Sequence, residues 1–112
     1  MEQIVYADFE KVELRVGTIV QVKDFPQAKK PSYQLKIDFG AKVDIKQSSA
    51  QITKLYTKEQ LLGKQVVAVV NFPPKQIGPF ISECLTTGFA NEKGEVVLIS
   101  PDIKVPNGTK LF

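Results

Sequence analysis

Residues 12–23 read VELRVGTIVQVK, with an apolar or β-branched residue at every even position: Val12, Leu14, Val16, Thr18, Val20 and Val22. That is the period of a half-buried strand, and it predicts that these six side chains face inward. Gly17 lies near the middle of the stretch. A glycine there lets one long strand bend sharply and serve two sides of a barrel.

Working outward, DFPQAKKP (24–31) is a connector punctuated by Pro26 and Pro31 and carrying Lys29 and Lys30. SYQLKIDFG (32–40) alternates again, with Tyr33, Leu35, Ile37 and Phe39 on one face. KVDIKQ (42–47) returns as a third strand, so strands two and three form a hairpin across Gly40-Ala41. Two capping-box patterns follow, Ser48 with Gln51 and Thr57 with Gln60. They predict short helices over roughly 49–56 and 58–62, the second closed by Gly63. KQVVAVVNF (64–72) loses the alternation, as a strand covered on both faces does. ECLTTGFA (83–90) and EVVLIS (95–100) flank the turn NEKG, and Asn107-Gly108 makes a turn near the end. The order is three strands, helix, two strands. This predicts an all-β chain: a five-stranded OB-fold Greek-key barrel with short helices between strands 3 and 4, one domain over residues 1–112.

Composition narrows the function classes. At 112 residues the chain holds one core. It has no histidine, which removes the commonest general base and metal ligand, and its single cysteine, Cys84, makes no intramolecular disulfide. The acidic residues are scattered along the chain. Hydrolase triads and most zinc sites fall on these grounds, and no enzyme, metal or cofactor is expected. The start MEQIVYADFE has neither a basic flank nor an apolar signal core, so a cytoplasmic protein is expected. A formal net charge of +3 permits contact with phosphates without demanding it.

Binding residues are therefore the ones to seek. OB barrels bind on the face of strands 2 and 3 and in the neighbouring loops. Lys29, Lys30, Lys36 and Lys46 fall there, with Tyr33 among them and Lys75 in a later loop. Ammonium groups replace condensed counterions on a phosphate backbone, and a ring can stack on a base. A solvated basic face with Tyr33 in the core is the simpler reading of the same residues, because Tyr33 is in phase with Leu35 and Ile37. Ser49, near a predicted helix start, and Ser82 add hydroxyl donors. The segment NFPPKQIGPF (71–80) has three prolines, which exclude it from the interior of a central strand and predict a stiff loop. Phe72, Ile77 and Phe80, with Val70 just before them, either cap the barrel, meet a second subunit or line a peptide groove.

The blocks DFEKVELRVGTI, YQLKIDFG, LLGKQVVAVVNFPPKQIGPFISE and VPNGTKLF resemble the tRNA-binding domain family, across nearly the whole chain. QSSAQITKLYT, NFPPKQIGPF and SECLTTGF are most similar to its export-related chaperone branch, the CsaA branch. The resemblance implies an OB-fold homodimer without catalytic activity. It implies binding of unfolded or preprotein peptides and of the SecA translocation motor, with tRNA binding shared across the wider family. The alternative is a dedicated tRNA-binding protein, a trans-acting tRNA chaperone or synthetase cofactor. Two departures stand out: Pro31 occupies a usual lysine position, and Ser82 is followed by Glu83, Cys84 and Leu85 where the family has Gly-Met and an aliphatic pair.

Overall fold

The computed structural model describes all 112 residues. A short helix, α1 (Tyr6–Glu10), precedes β1 (Leu14–Asp24), β2 (Tyr33–Asp38) and β3 (Ile45–Ala50). Helix α2 (Lys58–Leu61) leads into β4 (Gln65–Val69). Five short strands finish the chain: β5 (Lys75–Ile77), β6 (Phe80–Ser82), β7 (Leu85–Thr86), β8 (Gly88–Ala90) and β9 (Val96–Leu98). The main sheet is antiparallel in the order β3-β2-β1-β4-β7. Its two ends meet: Glu83 N–H donates to Gln47 O at 2.8 Å, and the Ser48 and Thr86 hydroxyls are 2.9 Å apart. The result is a nearly closed five-stranded barrel, the expected OB fold.

β1 is the long strand the alternation predicts, yet its inward face is not the even one. Gly17 and Ile19 point into the barrel, and Ile19 is fully buried. The register with β2 slips between Ile19 and Gln21, leaving Val20 44% exposed. Beyond the slip the phase reverses, so Val22 packs against the core. A bulge exchanges the faces of every later residue, which is why one even-position pattern spans two environments. Leu14, Val16 and Thr18 lie on the opposite face. The terminal segment runs along the same part of β1: Gly108 N–H donates to Val16 O, Leu111 N–H to Leu14 O, and the Thr18 hydroxyl to Asn107 Oδ1. Gly17 has its own reason: a Cβ there would sit 2.5 Å from Ile37 Cγ2 and 2.7 Å from Phe39 Cδ1.

The expected helix over 49–56 does not form. Residues 45–50 continue as β3, paired with β2 from Tyr33↔Ala50 to Asp38↔Ile45. The Ser48 hydroxyl meets Thr86 across the barrel seam, where a helix cap would have turned it to solvent. Local capping chemistry lost here to burial, because Ser48 and Ala50 fill the core face of the sheet. The second capping box does form: Gln60 N–H donates to Thr57 Oγ1 and Thr57 N–H to Gln60 Oε1. The proline segment is also more ordered than a loop. Residues 75–77 and 80–82 pair as a hairpin, with Pro73 and Pro74 before it and Gly78-Pro79 at its turn. Gly78 has φ 57°, the left-handed value that tight hairpin turns require. Val66, Val67, Ala68 and Val69 are all buried within the single chain, as a doubly covered strand demands.

Candidate functional site

The hairpin β5–β6 packs by its second strand on β3 and faces the β1–β2 connector. Between them lies a groove of about 1020 Å³, floored by β3 and the residues after β6. Lys29 and Lys30 come from the connector, Ser49 and Gln51 from the end of β3, and Phe72, Lys75 and Ile77 from the hairpin arm. Ser82, Cys84 and Leu85 complete the floor. No aspartate or glutamate lines it. Lys29, Lys30 and Lys75 form no ion pair, so their charge is available to a ligand.

The hairpin is held in place by named bonds. The Ser82 hydroxyl accepts the Ser49 N–H at 3.2 Å and donates to Cys84 O at 3.1 Å. Gln47 Nε2 donates to Ile81 O at 2.7 Å. The Phe80 ring turns inward onto Phe25, their centroids 5.5 Å apart, and seals the barrel end. Phe72 does the opposite. It is 54% exposed and forms part of the groove wall.

The expected binding residues are thus partly gathered. Lys29, Lys30, Ser49, Lys75, Ser82, Phe72 and Ile77 share this groove. Ser82 is buried and its hydroxyl is committed to the hairpin, whereas the Ser49 side chain has no hydrogen bond within the chain. Lys36 and Phe80 line a smaller neighbouring groove. Lys46 shares the inward phase of Ser48 and lines neither groove, and Val70 packs against the core. Tyr33 also packs on the core, its hydroxyl donating to Tyr56 O at 2.9 Å, so it is no stacking platform. The exposed aromatic of the groove is Phe72. Gln51, read from the sequence as a helix-cap partner, lines the groove instead, and Gln27 and Gln76 are lining residues that sequence reasoning passed over, because uncharged amides carry no signal until the topology gathers them.

Cys84 is the one group in the groove with a strongly altered acidity. Burial pushes its thiol up to about 11, outweighing the opposing hydrogen bond and the Lys46 charge. It stays protonated at neutral pH and is a poor nucleophile. No group of three or more Cys, Asp or Glu side chains comes together as a metal site would require.

Comparison with known proteins agrees with this geometry. The tRNA binding domain family model matches residues 14–110. The chain belongs to the tRNA binding domain family. Among the family's solved structures, chaperone CsaA from Bacillus anthracis is 48% identical and superposes with a TM-score of 0.92, covering 99% of this chain and 100% of that one. The CsaA chaperone protein from Picrophilus torridus is 51% identical with a TM-score of 0.91, over 98% and 100%. A methionine–tRNA ligase of Pyrococcus horikoshii is 38% identical over 111 residues, which are 99% of this chain and 15% of that enzyme. The chain thus spans about 15% of the length of the family's ligases it matches, and the whole of the CsaA structures.

Proposed function

We propose that this chain is a non-catalytic binding protein of the CsaA type, and that the hairpin-walled groove holds an extended stretch of tRNA. The observation that carries this reading is the lining: three unpaired lysines, an exposed phenylalanine and no carboxylate. Lysines displace the counterions of a phosphate backbone, and a ring such as Phe72 stacks on a base irrespective of its identity. The groove supplies binding groups and no reacting ones, since Cys84 is held as a neutral thiol.

A second ligand is favoured by the apolar side of the same groove. Phe72, Ile77 and Leu85 face the space that the lysines rim, a surface suited to unfolded or preprotein peptides. The likeness to CsaA over its full length supports this chaperone use, and with it a homodimer that hands preproteins to SecA in the cytoplasm. Because Val66–Val69 are already buried, the dimer contact falls elsewhere, where Phe89 is 68% and Phe112 98% exposed.

Titration of fluorescently labelled bulk tRNA at low and moderate salt, followed by competition with an unfolded, apolar-rich polypeptide, tests both. Salt-sensitive binding displaced by the polypeptide is expected. Absence of tRNA binding even at low salt overturns the first reading, and tRNA binding that the polypeptide does not displace overturns the shared groove.

A further inference from the structure

The turn Asn107-Gly108 opens the terminal segment that covers the start of β1. β2 pairs with β1 only from Thr18 onward, so the edge from Leu14 to Val16 is left to this segment. Val16 N–H donates to Thr109 O at 3.0 Å, Gly108 N–H to Val16 O at 2.7 Å and Leu111 N–H to Leu14 O at 2.7 Å. The Asn107 side chain belongs to the same fastening: its Oδ1 accepts from the Thr18 hydroxyl at 2.8 Å and from Gln65 Nε2 at 3.1 Å. Position 108 admits glycine alone. Its φ is 91°, and a Cβ there would sit 2.6 Å from Phe39 O.

That glycine creates a chemical liability. With no side chain on the following residue, the next backbone nitrogen lies open to the asparagine's own Cγ. Only Asn107 is placed so, since Asn71 precedes Phe72 and Asn91 precedes Glu92. In the reaction Gly108 N gives its proton to solvent and bonds to Asn107 Cγ, the Cγ–Nδ2 bond breaks, and the amide nitrogen takes a proton from water and leaves as ammonia. Water then opens the cyclic imide at either carbonyl. One opening gives aspartate. The other gives isoaspartate, in which the main chain runs through Cγ and is a carbon longer.

We propose that Asn107 is a modification site gated by the terminal segment: docked, the segment preserves the amide; lifted, it exposes the amide to conversion, and the isoaspartyl product keeps the segment from docking again. In the docked state the attacking N–H is committed to Val16 O and the amide is turned onto Thr18 and Gln65. Arg15 Nη1 also holds Gly108 O at 2.7 Å, and Gln65 bonds both the N–H and the carbonyl of Val105. Reaction therefore requires this end of the chain to lift, and chain ends open at the least cost in a fold. The extra carbon of isoaspartate shifts every later residue along β1, so Gly108 N–H, Thr109 O and Leu111 N–H cannot all regain their partners. The edge of β1 at Leu14–Val16 is then unpaired, a template for another strand. Converted chains accumulate with the age of the protein.

The test follows conversion at Asn107 by peptide mapping with mass spectrometry, comparing the full chain in mildly alkaline buffer with the synthetic peptide KVPNGTKLF, residues 104–112. In the full chain the bonds to Val16, Thr18 and Gln65 must open first, which is expected to make conversion at least about tenfold slower than in the peptide. Arg15→Ala removes the hold on Gly108 O and should speed conversion in the full chain at least about threefold. Should that variant fail to fold, Thr18→Ala, which frees Asn107 Oδ1, takes its place. The isoaspartyl fraction, separated by chromatography, is expected to be cut by trypsin after Lys110 faster than the unconverted fraction. Equal rates in chain and peptide would show that the segment does not guard Asn107. Conversion no faster in the folded variant than in the wild type, or an isoaspartyl fraction as resistant to trypsin as its parent, also overturns the proposal.

Discussion

The hydroxyl of Ser82 and the backbone N–H of Ser49 are joined at 3.2 Å, and this bond fastens the hairpin to the barrel at the floor of the groove. Ser82 also donates to Cys84 O, so one buried hydroxyl satisfies two backbone groups. Ser82→Ala leaves both unpaired, and a net loss of about 1–2 kcal/mol in urea-unfolding stability is expected. A valine, larger and without the hydroxyl, should cost at least as much.

The two phenylalanines of the hairpin separate stability from binding. Phe80 is buried against Phe25, and Phe80→Ala is expected to cost about 3 kcal/mol or more through the cavity it leaves. Phe72 is exposed on the groove wall, so Phe72→Ala should change stability by less than about 0.5 kcal/mol. The same change should weaken capture of both tRNA and unfolded polypeptide. Chemical denaturation and ligand titration on the same two variants check the split.

Gly17 is where the core closes on β1. Gly17→Ala drives a methyl group into Ile37 and Phe39, both fully buried, and a loss of about 1–3 kcal/mol is expected. A thermal melt reads it directly.

The end of the chain is tied to β1 by Glu13. Its carboxylate holds Lys110 Nζ at 2.8 Å and Arg15 Nη2 at 2.7 Å, and Arg15 Nη1 donates to Gly108 O at 2.7 Å. The hydrogen bond from Lys110, followed by that from Arg15, holds the Glu13 carboxyl below the ordinary value of 4.5. A depressed folded-state pKa contributes stability above the unfolded value, lost as pH falls through the folded one. The melting temperature of the wild type should therefore fall more steeply below pH 4.5 than that of Glu13→Gln, which at neutral pH is the less stable of the two. Parallel acid profiles would contradict this role.

Much of this architecture is legible in the residues. The alternation in 33–39, the unbroken apolar run at 66–70 and the Thr57–Gln60 box each describe a local environment that the barrel leaves unchanged. β1 was legible as a strand but not in phase, because a bulge at Val20 depends on how β2 pairs rather than on β1's own residues. Ser48 shows the converse: its side chain suits a helix cap, and only the seam with Thr86 turns it into a core position. Lysines of the site could be picked out by charge, but not which of them converge. Lys29 and Lys75 are 46 positions apart in sequence and share a groove, while Lys46 differs in phase by a single residue from Gln47 and leaves the binding face. Gln27 and Gln76 had no signal at all until the topology gathered them.

The central claim is that one groove, rather than diffuse basic charge, holds the ligand. The most direct measurement compares the tRNA affinity of two triple variants with equal charge change: Lys29→Ala, Lys30→Ala and Lys75→Ala in the groove, and Lys42→Ala, Lys54→Ala and Lys93→Ala on exposed sites outside it. The groove variant is expected to bind at least roughly tenfold more weakly than the wild type and to flatten the dependence of affinity on salt by about 2 in log–log slope. The distal variant should stay close to wild type. Equal losses in the two variants would mean that overall charge alone attracts tRNA, and the groove would lose its assigned role.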